Sequence, residues 1–509
     1  MASVKEIIDL MDSPSKEDIS LIEKAYNFAL KVHEGGKRLS GEAYFIHVFE
    51  TAKSLAEIKM GPVTISAGLL HDSIREGVTT EEQIKKEFGD EILFLINSVT
   101  KIGKIKYGGT EKHIESLKRF LLAVSQDIRV LIIKFTSRLQ NMRTFEFISN
   151  DEQQKMAIET LQIYAPLAYR LGMRKLSREL EDLSFKILNP KEYENTYRLI
   201  TEKKEQELPN LEKFVKSVKK ALAEEGITNI KTSYRQKGIY SLYEKLKRIE
   251  ERRGRVDKIY DILALRICVQ TVADCYKVLG IIHGKWQPLT GFIRDFIAFP
   301  KPNGYQSLHT TVFTGDGSIV EVQIRTYEMH EKAEFGIASY VIYKDDNKSV
   351  EKNEDTSWFK YFLPKFVNLS TDNKGKEIPE WIKDLTEANK RNKGEDKEGF
   401  LENLRSDIFS HRIFIFTPKG EVIDLPIGSC VLDYAYTIHS DIGNHTSSAK
   451  INGKIAAIKT ELKNGDVVEI ITKEKSKPSA KWLEMVKTAM AKRHIKEYLE
   501  KEKRGNTIK

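Results

Sequence analysis

The sequence is poor in the residues that staple chains or span membranes. It has three cysteines in 509 residues, Cys268, Cys275 and Cys430, and no CxxC pair. That leaves no disulfide framework and suits a reducing cytoplasm. No apolar run approaches the roughly 20 residues needed to cross a bilayer, so no membrane partner is expected. The opening stretch, MASVKEIIDLMDSPSKED, carries acidic residues and no apolar segment, unlike a signal peptide. There is no internal repeat. What is present is a chain long enough for two to four domains, 40% hydrophobic and 31% charged. Its net charge of +9 and pI of about 9.0 favour phosphate-bearing partners such as nucleotides or RNA. A general excess of lysine on solvated faces gives the same numbers.

The texture changes along the chain. The first two hundred residues read as helices. Ser15 followed by Asp18 resembles a capping box, and Ile22, Ala25, Tyr26, Ala29 and Val32 then recur at helical spacing. Helical character continues over 157–188, with Gly172 as the expected break. Near residue 230 strands begin. The near-continuous apolar run IYDILALRICV (259–269) suits a buried central strand. SIVEVQIRT (318–326) alternates, with Val320, Val322 and Ile324 facing one way and Glu321, Gln323 and Arg325 the other. Residues 346–404 form a charged linker rich in Lys, Asp, Glu and Asn. From about 407 two short strands, a helix ending at Gly443 and a strand after an Asn-Gly turn make a small β-rich module, and a basic helix follows.

Two stretches concentrate polar chemistry. In FPKPNGYQSLHTTV (299–312), Lys301, Asn303, Tyr305, Gln306, Ser307 and His309 crowd around Gly304. Tyr305 offers a flat face for a base; the same residues also describe a polar surface loop. Upstream, YRQKGIYSLYEKLKR (234–248) puts Arg235 and Lys237 before a helix that carries Lys245. This suits a triphosphate cradle, with arginine as a bidentate phosphate ligand, or a solvated basic helix. Asp261 and Glu321 lie within or at the ends of strands otherwise built for burial, where lone carboxylates are costly unless paired or on a metal. Carboxylates and substrate phosphates together suit magnesium. Cradle, carboxylates and tyrosine together suggest metal-assisted phosphoryl transfer.

These motifs, with YDILALRI, VEVQIRTYEMHEKAEFGIA and FTPKGEVIDLPIGSCVLDYAYTIHSDIG in the same order, resemble the long RelA/SpoT-type enzymes that make and degrade the alarmone (p)ppGpp. The resemblance covers nearly the whole chain. It implies a multidomain protein: an all-α HD-type domain (1–190), an α/β nucleotidyltransferase-like synthetase domain (191–345), the linker, a small β-grasp-like TGS domain (405–475) and the start of a basic helical region (476–509). It implies transfer of the β,γ-pyrophosphate of ATP to the 3′-hydroxyl of GDP or GTP. Asp261 and Glu321 would hold Mg2+, with Glu321 also the base. Arg235, Lys237 and Lys245 would grip ATP phosphates, and Tyr305 would stack on guanine. Lys301, Asn303 and His309 would position the acceptor, and Arg266, Gln323 and Arg325 would line the site. Phe292 stands where the family usually has a basic or acidic residue, and Tyr340-Val341 where a His-Trp pair is common; neither departure removes a metal ligand.

The N-terminal region departs further. The resemblance places Arg38, His47, His71, Asp72 and Asn141 in a hydrolase pocket. Ser137 stands where the family has a metal-binding aspartate, Gln140 replaces a usual histidine, and Arg75-Glu76 stands for a Glu-Asp pair. A hydroxyl is a poor substitute for an anionic ligand, so the Mn2+ site is expected to be lost and the domain to be a folded pseudohydrolase. The TGS resemblance places His439 at a contact with deacylated tRNA on the ribosome. The zinc-binding and ACT-like domains that usually follow have no counterpart in this sequence. The rival readings are a bifunctional enzyme with weak Mn-dependent hydrolysis, a non-catalytic ribosome-binding or tRNA-binding regulator, and a purely hydrolytic enzyme. Loss of Asp261 or Glu321 would have marked the regulator, and both are present; a pure hydrolase would show the reverse pattern of losses.

Overall fold

Ser15 does cap a helix. Its hydroxyl accepts the amide of Asp18, whose carboxylate accepts the amide of Ser15. The computed structural model describes residues 2–38, 41–103, 127–251, 262–301, 304–315, 317–336, 338, 412–418, 422–463 and 465–506. Asp261, Asn303, Tyr340, the linker 346–404 and Asn464 of the expected turn lie outside the described residues. The described residues fall into two compact units, 2–338 and 412–506.

The first unit opens with helices α1 (Val4–Ile8), α2 (Lys16–Val32), α3 (Tyr44–Glu57), α4 (Pro62–Leu70), α5 (Glu81–Gly103) and α6 (Ile128–Arg143). Next come α7 (Asn150–Glu159), one π-helical segment (Thr160–Tyr164), α8 (Ala165–Arg170), α9 (Arg174–Leu188) and the long α10 (Pro190–Glu224). Gly172, at φ +75°, makes the break between α8 and α9. Burial of Val48, Phe49, Ala52 and Leu55 on α3 and of Ile65, Leu69 and Leu70 on α4 stabilises their pairing, at about 1.5–3 kcal/mol for each large side chain. The two helices touch closely: a Cβ on Gly68 would lie 2.4 Å from Leu55 Cδ1. This approach sets the spacing of His47 and His71.

The sheet has the order β1–β2–β5–β4–β3, from β1 (Lys231–Gln236), β2 (Leu263–Val269), β3 (Arg294–Asp295), β4 (Leu308–Phe313) and β5 (Ile319–Thr326). It is mixed: β2 and β5 are parallel and the other pairs antiparallel. Helices α11 (Ile239–Glu251), α12 (Val272–Lys285) and α13 (Tyr327–Phe335) complete it. One face carries the core, where Leu265, Ile267, Val320, Val322 and Ile324 pack on Phe214 and Val218 of α10 and Val278 and Ile282 of α12. By alternation, the other face receives Glu321, Gln323 and Arg325.

In the second unit β6 (Arg412–Phe416) pairs with β7 (Val422–Pro426), and β8 (Thr446–Ile451), β9 (Lys454–Ala456) and β10 (Val468–Thr472) form a sheet in the order β10–β8–β9. The expected single helix up to Gly443 is two, α14 (Val431–Ile438) and α15 (Ser440–Asn444). His439 is extended between them, and its Nδ1 accepts the Asp441 amide to start the second. Helices α16 (Trp482–Met485) and α17 (Ala489–Asn506) follow, with Trp482, Val486, Ala491 and Ile495 packed on Leu432 and Tyr436 of α14. No helix of the described residues is long and apolar enough to cross a membrane.

Candidate functional site

The polar face of the sheet gathers residues far apart in sequence. Ala264 pairs with both Arg235 and Glu321, and Gln323 with both Arg266 and His309. The Glu321 carboxylate accepts from His309 Nδ1 at 3.0 Å and from Gln323 Nε2 at 3.0 Å. A carboxylate only accepts, so Nδ1 carries the proton in the neutral ring. Nε2 is then the acceptor for the Tyr305 hydroxyl, 2.7 Å away. Burial pushes His309 downward and keeps it neutral. Burial opposes ionisation of Glu321, but the bonds from His309 and Gln323 and the charge of Arg235 outweigh it and hold its pKa below the usual range.

Gly304, at φ +63°, closes the turn in which the Lys301 amide donates to the Tyr305 carbonyl. The ring of Tyr305 is not an open platform: it is 8% exposed. The Lys301 ammonium lies 5.2 Å from its centroid and 4.4 Å from that of Phe296. The Arg174 guanidinium of α9 lies 4.9 Å from it. Burial, with Arg174 and Arg235 adding, pushes Lys301 down to about 7. Arg266 and Arg325 share Glu334 of α13, at 3.1 and 3.2 Å. A cavity of about 310 Å³ opens beside Arg266 and Glu334. Lys237 sits in the β1–α11 turn, its amide donating to Ile262 next to position 261, and Lys245 lies on α11. The Glu321 carboxylate is held ionised, and an oxygen donor of this kind suits Mg2+.

The helical part holds a second cluster. His47, His71 and Asp72 offer ligand atoms within 4.8 Å of one another, all buried. His71 and Asp72 are engaged, whereas His47 Nδ1 is buried without a hydrogen-bond partner and its Nε2 lies 3.6 Å from Asp72 Oδ2. His71 Nδ1 lies 2.8 Å from the Gly68 carbonyl and must donate to it; Nε2, 3.1 Å from Ser137 Oγ, then accepts the serine proton. Asp72 Oδ2 accepts from Tyr44 at 2.8 Å and Arg75 at 3.2 Å. Burial raises the Asp72 carboxyl, yet His71, the Arg75 guanidinium and the Tyr44 bond overcome it and hold it well below the carboxylate range. Burial lowers both imidazoles. It also pushes Lys134 down to about 8, helped by the charge of Arg138. Arg38 donates to Asn141 at 2.6 Å and Thr144 at 3.1 Å, and Gln140 ties α6 to Ser54 of α3 at 2.8 Å. Sequence reasoning missed Tyr44, Lys134 and Arg174, none of which sits in a recognisable spacing with its partner. In the second unit His439 is exposed at the start of α15.

Comparison with known proteins matches three domain descriptions in order: HD domain over 25–174, "Region found in RelA / SpoT proteins" over 234–348, and TGS domain over 413–472. A guanosine-3′,5′-bis(diphosphate) 3′-pyrophosphohydrolase of Aquifex aeolicus is 41% identical over 99% of this chain and 68% of its own length. A GTP pyrophosphokinase of Myxococcus xanthus is 39% identical over 96% of this chain and 62% of its own. One from Streptomyces coelicolor is 40% identical over 96% and 56%. The chain thus spans between 56% and 68% of the length of these relatives. Among solved structures, small alarmone synthetase 2 of Bacillus subtilis aligns with 30% of this chain and 84% of its own at 26% identity and a TM-score of 0.22. The ordered motifs, the helical and α/β folds, and a 41% identical relative matched over two thirds of its length lead to one family: the chain belongs to the RelA/SpoT proteins.

Proposed function

We propose that the chain is a magnesium-dependent (p)ppGpp synthetase and that its HD pocket does not hydrolyse the product. The observation that carries the reading is the Tyr305–His309–Glu321 hydrogen-bond chain, built on the sheet face that also receives Arg235. The relatives named GTP pyrophosphokinase support it.

In this reading the Arg174 or Lys301 cation over the ring gives way, and the guanosine nucleotide takes its place against Tyr305 with its 3′-hydroxyl towards Glu321. Glu321 takes the hydroxyl proton as the oxygen bonds to the β-phosphorus of ATP. The bond between that phosphorus and the oxygen of the α-phosphate breaks, and AMP leaves. His309, its proton committed to Glu321, orients the carboxylate. Arg235, Lys237 and Lys245 hold the donor phosphates, while Lys301 and Asn303 hold the acceptor. Asp261 and Glu321 would hold Mg2+, which draws charge off the transferred group. In the HD pocket, the Ser137 proton on His71 and the Arg75 and Tyr44 bonds on Asp72 occupy the positions that Mn2+ would need.

A second reading, weak Mn-dependent hydrolysis, is favoured by the surviving triad of His47, His71 and Asp72 and by the relatives named for hydrolysis. The TGS match and the exposed His439 support a contact with deacylated tRNA on the ribosome. The deciding experiment incubates the protein with Mg2+, ATP and GDP or GTP and separates the nucleotides. AMP and a guanosine 3′-diphosphate product are expected in equal amounts. Their absence, with the protein folded, sinks the synthetase reading.

A further inference from the structure

Helix α9 falls between the two matched regions. The HD match ends at 174, where α9 begins, and the synthetase match starts at 234. Yet α9 reaches into the synthetase at the turn that carries the donor-phosphate candidates. Arg178 Nη1 donates to the Gln236 carbonyl at 3.1 Å, and Asp182 Oδ1 accepts the Tyr240 amide at 2.9 Å.

The need for this is local. A helix starts with N–H groups that have no partner within it, and Ser, Thr, Asp or Asn usually supplies the acceptor just before it. Helix α11 begins at Ile239, and Gly238 precedes it. Glycine has no side-chain acceptor to give. Nor can a larger residue stand there: a Cβ would lie 2.7 Å from Arg178 Cγ and 2.9 Å from Cδ. The packing that brings Arg178 over the turn thus removes the local cap, and Asp182 supplies one from another helix. Its negative charge also suits the positive end of the helix dipole. Burial raises the Asp182 carboxyl, and the amides of Tyr240 and Ile239 pull against it. On either side of this fixed point stand Arg235 on β1, Lys237 in the turn and Lys245 on α11.

We propose that Asp182 and Arg178 are positioning residues for the donor nucleotide: they hold the 235–240 turn, and with it the phosphate-gripping cations, from outside the synthetase domain proper. This rests on the synthetase reading above. Neither residue touches substrate; both act through the backbone of the turn.

The test measures binding of a non-hydrolysable ATP analogue and, separately, of GDP, to the full chain with Mg2+. Asp182→Ala should bind the analogue about fivefold more weakly, the scale of one lost cap, and GDP within about twofold of the unmodified chain. Asp182→Asn keeps an acceptor of equal capping rank and should restore the analogue. If Asp182→Ala does not fold, Arg178→Met, which drops the Gln236 bond but keeps the packing on Gly238, should show the same selective loss. Unchanged analogue affinity in the folded variants overturns the proposal. So does an equal loss for both nucleotides with a lowered melting temperature, the mark of a purely structural role. An unmodified chain that binds the analogue but forms no product overturns the synthetase reading and leaves this comparison decisive. One that binds no analogue overturns both.

Discussion

The hydroxyl of Ser137 donates to Nε2 of His71 across 3.1 Å, in the lone-pair direction that a metal would use. A metal that used His71 Nε2 would have to break that bond, and one that used Asp72 Oδ2 would have to compete with Arg75 and Tyr44. Manganese titration of the unmodified protein should therefore show weak binding, and labelled ppGpp with excess manganese should release no pyrophosphate over many turnovers. Turnover that disappears in His71→Ala would refute this. Residues acting as a unit are non-additive, so Ser137→Asp alone should recover little, and Arg75→Glu, Glu76→Asp and Ser137→Asp together more.

Glu321→Gln should remove a general base and a metal donor at once. Synthesis should fall at least by the about 10²- to 10⁴-fold that a general base contributes. Near-normal turnover from a folded Glu321→Gln protein would show that the proton goes elsewhere.

The proposed function gives Tyr305 two separable roles. Tyr305→Ala loses the ring, and stacking of a base on an aromatic contributes about 1–3 kcal/mol; GDP affinity should fall roughly 5- to 150-fold. Tyr305→Phe keeps the ring and loses the bond to His309 Nε2. It should keep GDP affinity and lower turnover. Calorimetry and steady-state rates on the two variants separate these outcomes, and equal GDP affinity in both would remove the stacking role.

Lys301 should make acceptor binding pH-dependent. Its pKa in the folded protein is pushed down to about 7, so it is neutral above that pH, and binding a polyphosphate there must take up a proton. GDP affinity should fall as pH rises from about 7 to 8.5, and Lys301→Arg should flatten the profile. The same depression has an opposite sign for stability. Between about 7 and the ordinary 10.5 the unfolded lysine binds the extra proton, so this residue's contribution to stability rises with pH across that window. A pH-independent GDP affinity in the unmodified protein would contradict the role given to Lys301.

The sheet and its chemistry were legible because strand alternation has a period of two. Once Val320, Val322 and Ile324 are assigned to the core, Glu321, Gln323 and Arg325 must face away from it. The order of motifs then named the partners on that face. What could not be read was contact between elements with no shared pattern. Arg174 over Tyr305, Tyr44 on Asp72 and Asp182 on α11 join distant segments through tertiary packing alone. His439 misled for another reason: the apolar spacing continues through it, while its own ring satisfies the next amide and ends one helix to begin another.

Asp433 is fully buried on α14, and its carboxylate accepts from the Cys430 amide at 2.9 Å, the Lys487 amide at 3.0 Å, and the amide and hydroxyl of Thr488, both at 2.8 Å. The recognisable TGS sequence ends at 472. A fragment cut there would keep the acid and discard three of these four donors, together with the Trp482, Val486 and Ile495 side chains that pack on Leu432 and Tyr436 of the same helix. An ion stranded in that way costs several kcal/mol. A fragment that keeps this carboxylate paired thus extends past the piece that homology outlines, and one that also keeps the packing on α14 reaches beyond Ile495.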